Sequence, residues 1–189
     1  MRTQEAGTVR RRARWHARIA LLLLCVSMAL LSATAGARDI RAAVFDLDFV
    51  DTSLEGASGQ ARDDEARRLA LAGEMLRRML AERGLAPVDL APARERIAKA
   101  APLNRCNGCD LDFARELGAE LAVTGLVQKI SNLILNINVT IRDVRDGRTL
   151  RGGSVDIRGN TEESWLRGMS YLVRNRLFDP PLSLCPPRC

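Results

Sequence analysis

Histidine is almost missing from this chain: among 189 residues only His16 carries an imidazole. Beyond that position, Ser-His-Asp and Cys-His catalysis and the usual histidine metal sites are excluded. Carboxylate and lone-thiol chemistry stay open. Lysine is scarce too, with only Lys99 and Lys129, so arginine carries nearly all the positive charge. The one long apolar block, residues 19–31, falls short of the roughly 20 residues that a membrane span needs. No internal repeat is present.

That apolar block has a telling context. A basic run, Arg10-Arg11-Arg12-Ala13-Arg14-Trp15-His16-Ala17-Arg18, precedes it, and small residues, Ser32-Ala33-Thr34-Ala35-Gly36-Ala37, follow it. This order predicts a secretory signal peptide over residues 1–37, cleaved after Ala37, and hence a periplasmic or secreted protein. Retained, the same segment would be an N-terminal anchor, the only route by which this reading touches a membrane. Cys25 is preceded by Leu22-Leu23-Leu24 rather than small residues, which argues against lipidation there. Cleavage removes His16, six of 29 basic residues and one of 23 acidic ones. The remaining 152 residues hold 23 basic against 22 acidic side chains, a net charge of +1. The overall pI near 9.6 is therefore mostly leader, and nucleic-acid binding is rejected because it needs clustered cations in the folded domain.

The expected mature chain is one domain over residues 38–178, followed by a Pro- and Cys-rich tail over 179–189. A first strand is predicted over 41–49 and a helix over 62–83. That helix carries an apolar stripe of Ala66, Leu69, Ala72, Gly73, Leu76, Met79 and Leu80, with Asp63-Asp64-Glu65 at its positive end. A short strand near 87–90, helices over 92–100 and 110–117, and a strand over 121–128 follow. In the segment 133–144, Leu135, Ile137, Val139 and Ile141 alternate with Asn136, Asn138, Thr140 and Arg142, which predicts a half-buried strand. Asp146-Gly147 turns it into a hairpin. The returning strand, 150–158, points Val155 and Ile157 inward and Ser154, Asp156 and Arg158 outward. A last helix should start at Asn160, with Glu163 at capping-box spacing, and bury Trp165, Met169, Leu172 and Val173. The order β-α-β-α-α-β-β-β-α predicts an α/β (α+β mixed) fold with a single mixed sheet. Its first strands are parallel, its last three form an antiparallel meander, and helices lie mainly on one face.

Three groups of residues could carry function. The outward row Asn136, Asn138, Thr140, Arg142, Ser154, Asp156 and Arg158 is a candidate interaction face; the plainer reading is the wet side of an antiparallel sheet. The pair Cys106 and Cys109, in Cys-Asn-Gly-Cys, has redox spacing at a helix start, and with Cys185 and Cys189 it could form a four-thiolate zinc site. In an oxidising compartment structural disulfides are the default, with Cys106–Cys109 preferred and the tail pair closed on itself or clamping the tail to the helix. Metal and cofactor sites are accordingly not assigned. Third, Val44-Phe45-Asp46-Leu47-Asp48 resembles the nucleophile motif of haloacid-dehalogenase-type phosphatases, in which one Asp attacks phosphorus and the other moves protons beside Mg²⁺. Phe49-Val50 stand where those enzymes have a Gly-Thr-Leu-type turn, and no acidic pair follows to complete the metal site.

The blocks at residues 117–127 and 136–143, with Ala43-Val44-Phe45-Asp46, Asp51-Thr52-Ser53-Leu54-Glu55-Gly56 and 156–161, resemble a family of predicted secreted bacterial proteins of unknown function. More distantly the layout is similar to the TolB amino-terminal domain and CsgG-like envelope proteins. This resemblance implies a mixed sheet backed by helices and a module that binds another envelope protein without catalysing a reaction. The alternatives are a small phosphatase-like hydrolase using Asp46 and Asp48, or a thiol–disulfide protein using Cys106 and Cys109.

Overall fold

The computed structural model describes residues 39–58, 63–180 and 182. The predicted leader, Cys185 and Cys189 lie outside these residues. Strands β1 (Ile40–Val44), β2 (Asp48–Asp51), β3 (Leu85–Pro87), β4 (Leu121–Ser131), β5 (Ile134–Asp143) and β6 (Thr149–Arg158) form one sheet. Its order is β3-β1-β4-β5-β6, with β2 also paired to β4. β1, β2 and β3 run parallel to their partners, and β4, β5 and β6 are antiparallel to one another. The mixed sheet and its meander are as the sequence predicts.

The helices are α1 (Asp63–Ala81), α2 (Arg94–Ala100), α3 (Cys109–Glu116) and α4 (Glu162–Leu172), the last continued by a wider turn over Val173–Leu177. β3 and β4 flank β1 on opposite sides. Right-handed crossovers from β1 to β3 and from β3 to β4 must therefore pass over opposite faces of the sheet. The core obeys this. Ala42, Val44, Leu121, Val123, Val127, Leu135 and Ile137 pack with α1 and α4 on one face. Ala43, Phe45, Ala122 and Val144 pack with Leu103, Ile97 and Ala114 on the other. The main helical layer is thus joined by a smaller second layer that shelters only the β1 end of the opposite face.

Four local expectations are corrected. The first strand is two: residues 45–47 leave the ladder between the pairs Val44–Val123 and Asp48–Leu126, three residues set against two. The third strand lies at Leu85–Pro87, N-terminal to its expected place, because Leu85 and Ala86 pair with Ile40 and Arg41. In α1 the first buried position belongs to Glu65 and Ala66 is exposed, since a carboxylate there has a buried cation to meet. The cap of α4 is Thr161, whose hydroxyl accepts from Ser164 N at 3.2 Å; the Asn160 side chain is engaged elsewhere. As expected, α4 buries Trp165, Met169 and Leu172, and Val173 follows, all fully enclosed. Phe49 stacks on Trp165 with ring centroids 5.9 Å apart, tying β2 to α4. Among the described residues no helix is long and apolar enough to cross a membrane.

Candidate functional site

The register of the meander decides which side chains share the uncovered face. Across β4, β5 and β6 the rows read Thr124–Thr140–Gly152, Leu126–Asn138–Ser154 and Gln128–Asn136–Asp156. Ala122–Arg142–Thr149 closes one end beneath α3. The residues read from the sequence as an interaction face therefore do stand on one side of the sheet. Missed was the contribution of β4, Thr124, Leu126 and Gln128. Only the strand register could reveal it, because residues 121–128 read as mostly apolar.

This face is held in place by its own hydrogen bonds. Asn136 Nδ2 donates to Ser154 Oγ at 2.9 Å and to Asp156 Oδ1 at 2.6 Å. Asn138 Nδ2 donates to Asn136 Oδ1, and Ser154 Oγ lies 3.2 Å from the same oxygen. Arg142 serves otherwise: its Nη1 donates to both oxygens of Asp110 at 3.0 Å and its Nε to Gly147 O at 3.2 Å. Asp110 is only 3% exposed, so Arg142 is a strut between β5 and α3. Asp110 follows directly on the disulfide that joins Cys106 and Cys109 at the start of α3. A polar recess of about 360 Å³ lies where this loop meets the sheet, lined by Asn104, Asn107, Thr124, Thr140 and Arg142.

Asp46 and Asp48 border a separate crevice of about 450 Å³ beyond the carboxyl ends of β1 and β3, walled by Leu47, Leu90 and Ile97. The Asp46 carboxylate is engaged by the Arg77 guanidinium. Burial pushes Asp48 above the usual carboxylate range, partly offset by the N–H groups of Asn104 and Leu103. Lys129 lies apart from this crevice. Lys129 is sealed from solvent, with its Nζ 2.8 Å from Glu65, 2.9 Å from Glu55 and 3.1 Å from Asp51. Burial alone would lower its pKa, but these three carboxylates raise it above the ordinary lysine value.

The surroundings of Lys129 form a hydrogen-bonded network that was not read from the sequence. Asn160 Nδ2 donates to Glu65 at 2.6 Å, and Asn160 Oδ1 accepts from Trp165 Nε1 at 2.9 Å and Arg68 at 3.1 Å. Asn132 donates to Glu55 at 2.7 Å. The cluster joins the loop after β2 to α1, β4 and α4, with three carboxylates gathered around one ammonium.

These features define a mixed α/β domain with one half-bare polar sheet face. The chain belongs to the DUF3280 family, described as "Protein of unknown function (DUF2380)", over residues 40–177. No curated protein matches it. Among solved structures it is similar to the LpoB C-terminal domain from Salmonella enterica, with 18% identity, a TM-score of 0.46, and coverage of 69% of this chain and 91% of that one. A PelC dodecamer from Paraburkholderia phytofirmans gives 14% identity and a TM-score of 0.45, covering 75% and 91%. Lipoprotein GNA1162 from Neisseria meningitidis gives 18% and 0.39, covering 64% and 81%.

Proposed function

We propose that this protein is a non-enzymatic interaction module of the bacterial envelope, exported by its leader, that presents the β4–β5–β6 face to an envelope protein. One observation carries the reading: beyond the row beneath α3, both helical layers leave this face bare, while its Asn136–Asn138–Ser154–Asp156 network holds the side chains in one arrangement. A surface already ordered loses less conformational freedom on binding, so more of the contact energy appears as affinity. The TolB- and CsgG-like layout of the sequence fits the same use. The hydrolase alternative is the weaker one, because the Asp46 charge is engaged by Arg77 and the Lys129 amine by three carboxylates.

The test is site-resolved photo-crosslinking in the periplasm of a bacterium that exports the protein. A probe at Gln128 should trap one envelope protein, and Asn136→Arg in the same chain should abolish the adduct. A probe at Glu74 or Arg78, on the exposed side of α1, should trap nothing comparable. Equal adducts from both faces, or a metal-dependent phosphatase activity lost in Asp46→Asn, would overturn the proposal.

A further inference from the structure

The two ends of the sheet are built differently. β3 is a three-residue strand that ends in Pro87, a blunted edge of the sort that discourages pairing. β6 is a ten-residue strand with no further neighbour among the described residues. Which of its main-chain groups face outward follows from the register. Phe45 N donates to Val123 O and Thr52 N to Lys129 O, so the odd-numbered residues of β4 address β1 and β2. The even-numbered ones must then address β5, whose odd-numbered residues in turn address the odd-numbered residues of β6. Gly159 N donating to Leu133 O agrees with that phase. Gly152, Ser154, Asp156 and Arg158 therefore turn their N–H and C=O groups away from the sheet. Arg158 O is taken by Ser164 Oγ at 3.0 Å, which ends the free stretch.

We infer that β6 is a self-pairing edge and that its partner is β6 of a second copy of this chain, antiparallel about a two-fold axis at Ser154. In that register Ser154 faces Ser154 of the copy and Gly152 faces Asp156, twice over. All the outward N–H and C=O groups of the three residues are then satisfied in both chains. The side chains agree with this pairing. The Asp156 carboxylate meets a residue without a side chain, and a Cβ built on Gly152 would have nothing within 4 Å in the single chain. No like charges stand opposite. The two open faces become one continuous sheet surface. This inference is independent of the partner proposed above, since a chain that self-pairs could still lack that partner, and the reverse.

Sedimentation equilibrium of the mature chain should show a monomer–dimer equilibrium. Gly152→Asp sets a carboxylate opposite Asp156 at two symmetric places and should weaken the dimer roughly tenfold or more. Adding Asp156→Lys to Gly152→Asp turns both contacts into opposite-charge pairs and should restore it. Circular dichroism of each variant checks that the fold is kept. The inference is overturned by a chain that stays monomeric up to about 1 mM. It is equally overturned by a dimer indifferent to Gly152→Asp, or by a loss that Asp156→Lys does not rescue in folded protein.

Discussion

Lys129 Nζ sits 2.8 Å from Glu65 Oε1, and these two side chains are 0% and 5% exposed. The pair joins the far end of β4 to the first turn of α1. Glu55 and Asp51 complete the shell of the ammonium, so its desolvation is compensated by hydrogen bonds to three carboxylates.

Removing the lysine should therefore cost more than removing an ordinary surface charge. Lys129→Met strands the buried Glu65 carboxylate beside two others, and the expected loss is about 3–5 kcal/mol of unfolding free energy. Lys129→Met combined with Glu65→Leu should recover part of that loss, because an apolar pair replaces a broken ionic one. Urea titrations of the two variants measure both quantities. A single variant within about 1 kcal/mol of the parent would show that the cluster contributes little.

The acid and alkaline limits of stability should be set by the same region together with the β5–β6 turn. Burial alone would raise Asp51, but the Ser53 hydroxyl and N–H and the Lys129 ammonium hold it below the usual carboxylate range. The Arg145 guanidinium does the same for Asp143, outweighing burial. Carboxyls depressed in the folded state add stability that is complete above about pH 4 and disappears as pH falls through their folded values. Lys129 has the opposite sign: its contribution is complete below about pH 10.4 and is lost as pH rises through its raised folded value. Unfolding free energy measured across pH should show a plateau between these limits. The double variant Asp51→Asn with Asp143→Asn should flatten the acid limb, and an unchanged limb would sink the assignment.

How much of this was legible in the sequence depends on which rule each residue obeys. The alternation of Leu135, Ile137, Val139 and Ile141 with polar neighbours shows β5 and its bare face directly, because one side is wet. The break at residues 45–47 does not show, since a run that is apolar on both sides has no phase to lose. Lys129 stands at an inward position of β4, in step with Leu121, Val123 and Val127. A lysine interrupts the apolar run, so the sequence predicts a strand only over 121–128, three residues short of the end of β4. Glu65 was hidden likewise, with Ala66 taking its place in the apolar stripe. Each half of the pair is intelligible only once the other is seen, and that is tertiary information.

Asp48 gives a prediction of opposite sign to Asp51. Burial raises its pKa, which the N–H groups of Asn104 and Leu103 only partly offset. A carboxyl raised in the folded state costs stability above about pH 4, where both states would otherwise be ionised. Asp48→Asn keeps an oxygen able to accept from Asn104 N, now 3.3 Å from Asp48 Oδ2, and removes the charge. The variant should be more stable than the parent at pH 7 and lose that advantage in acid. A less stable variant at pH 7 would mean that the charge is compensated by something the crevice does not contain.

Gly168 offers a test of how α4 sits on the sheet. In an exposed helix, replacing glycine by alanine stabilises by about 1 kcal/mol, because alanine loses less backbone freedom on folding. Here a Cβ would stand 2.3 Å from Ile157 Cγ2, closer than packed carbons tolerate, while Ile137 Cδ1 at 3.4 Å would be an ordinary contact. Ile157 belongs to the layer between α4 and the sheet, so the helix must lift or this isoleucine must leave its rotamer. Overpacking of that kind costs about 1–3 kcal/mol, enough to reverse the sign of the propensity gain. Gly168→Ala should therefore lower the denaturation midpoint. Combining it with Ile157→Ala, which removes the Cγ2 methyl that the new methyl meets, should cost less than the sum of the two single changes. A stabilised Gly168→Ala variant would show that α4 does not lie against Ile157 as closely as the packing requires.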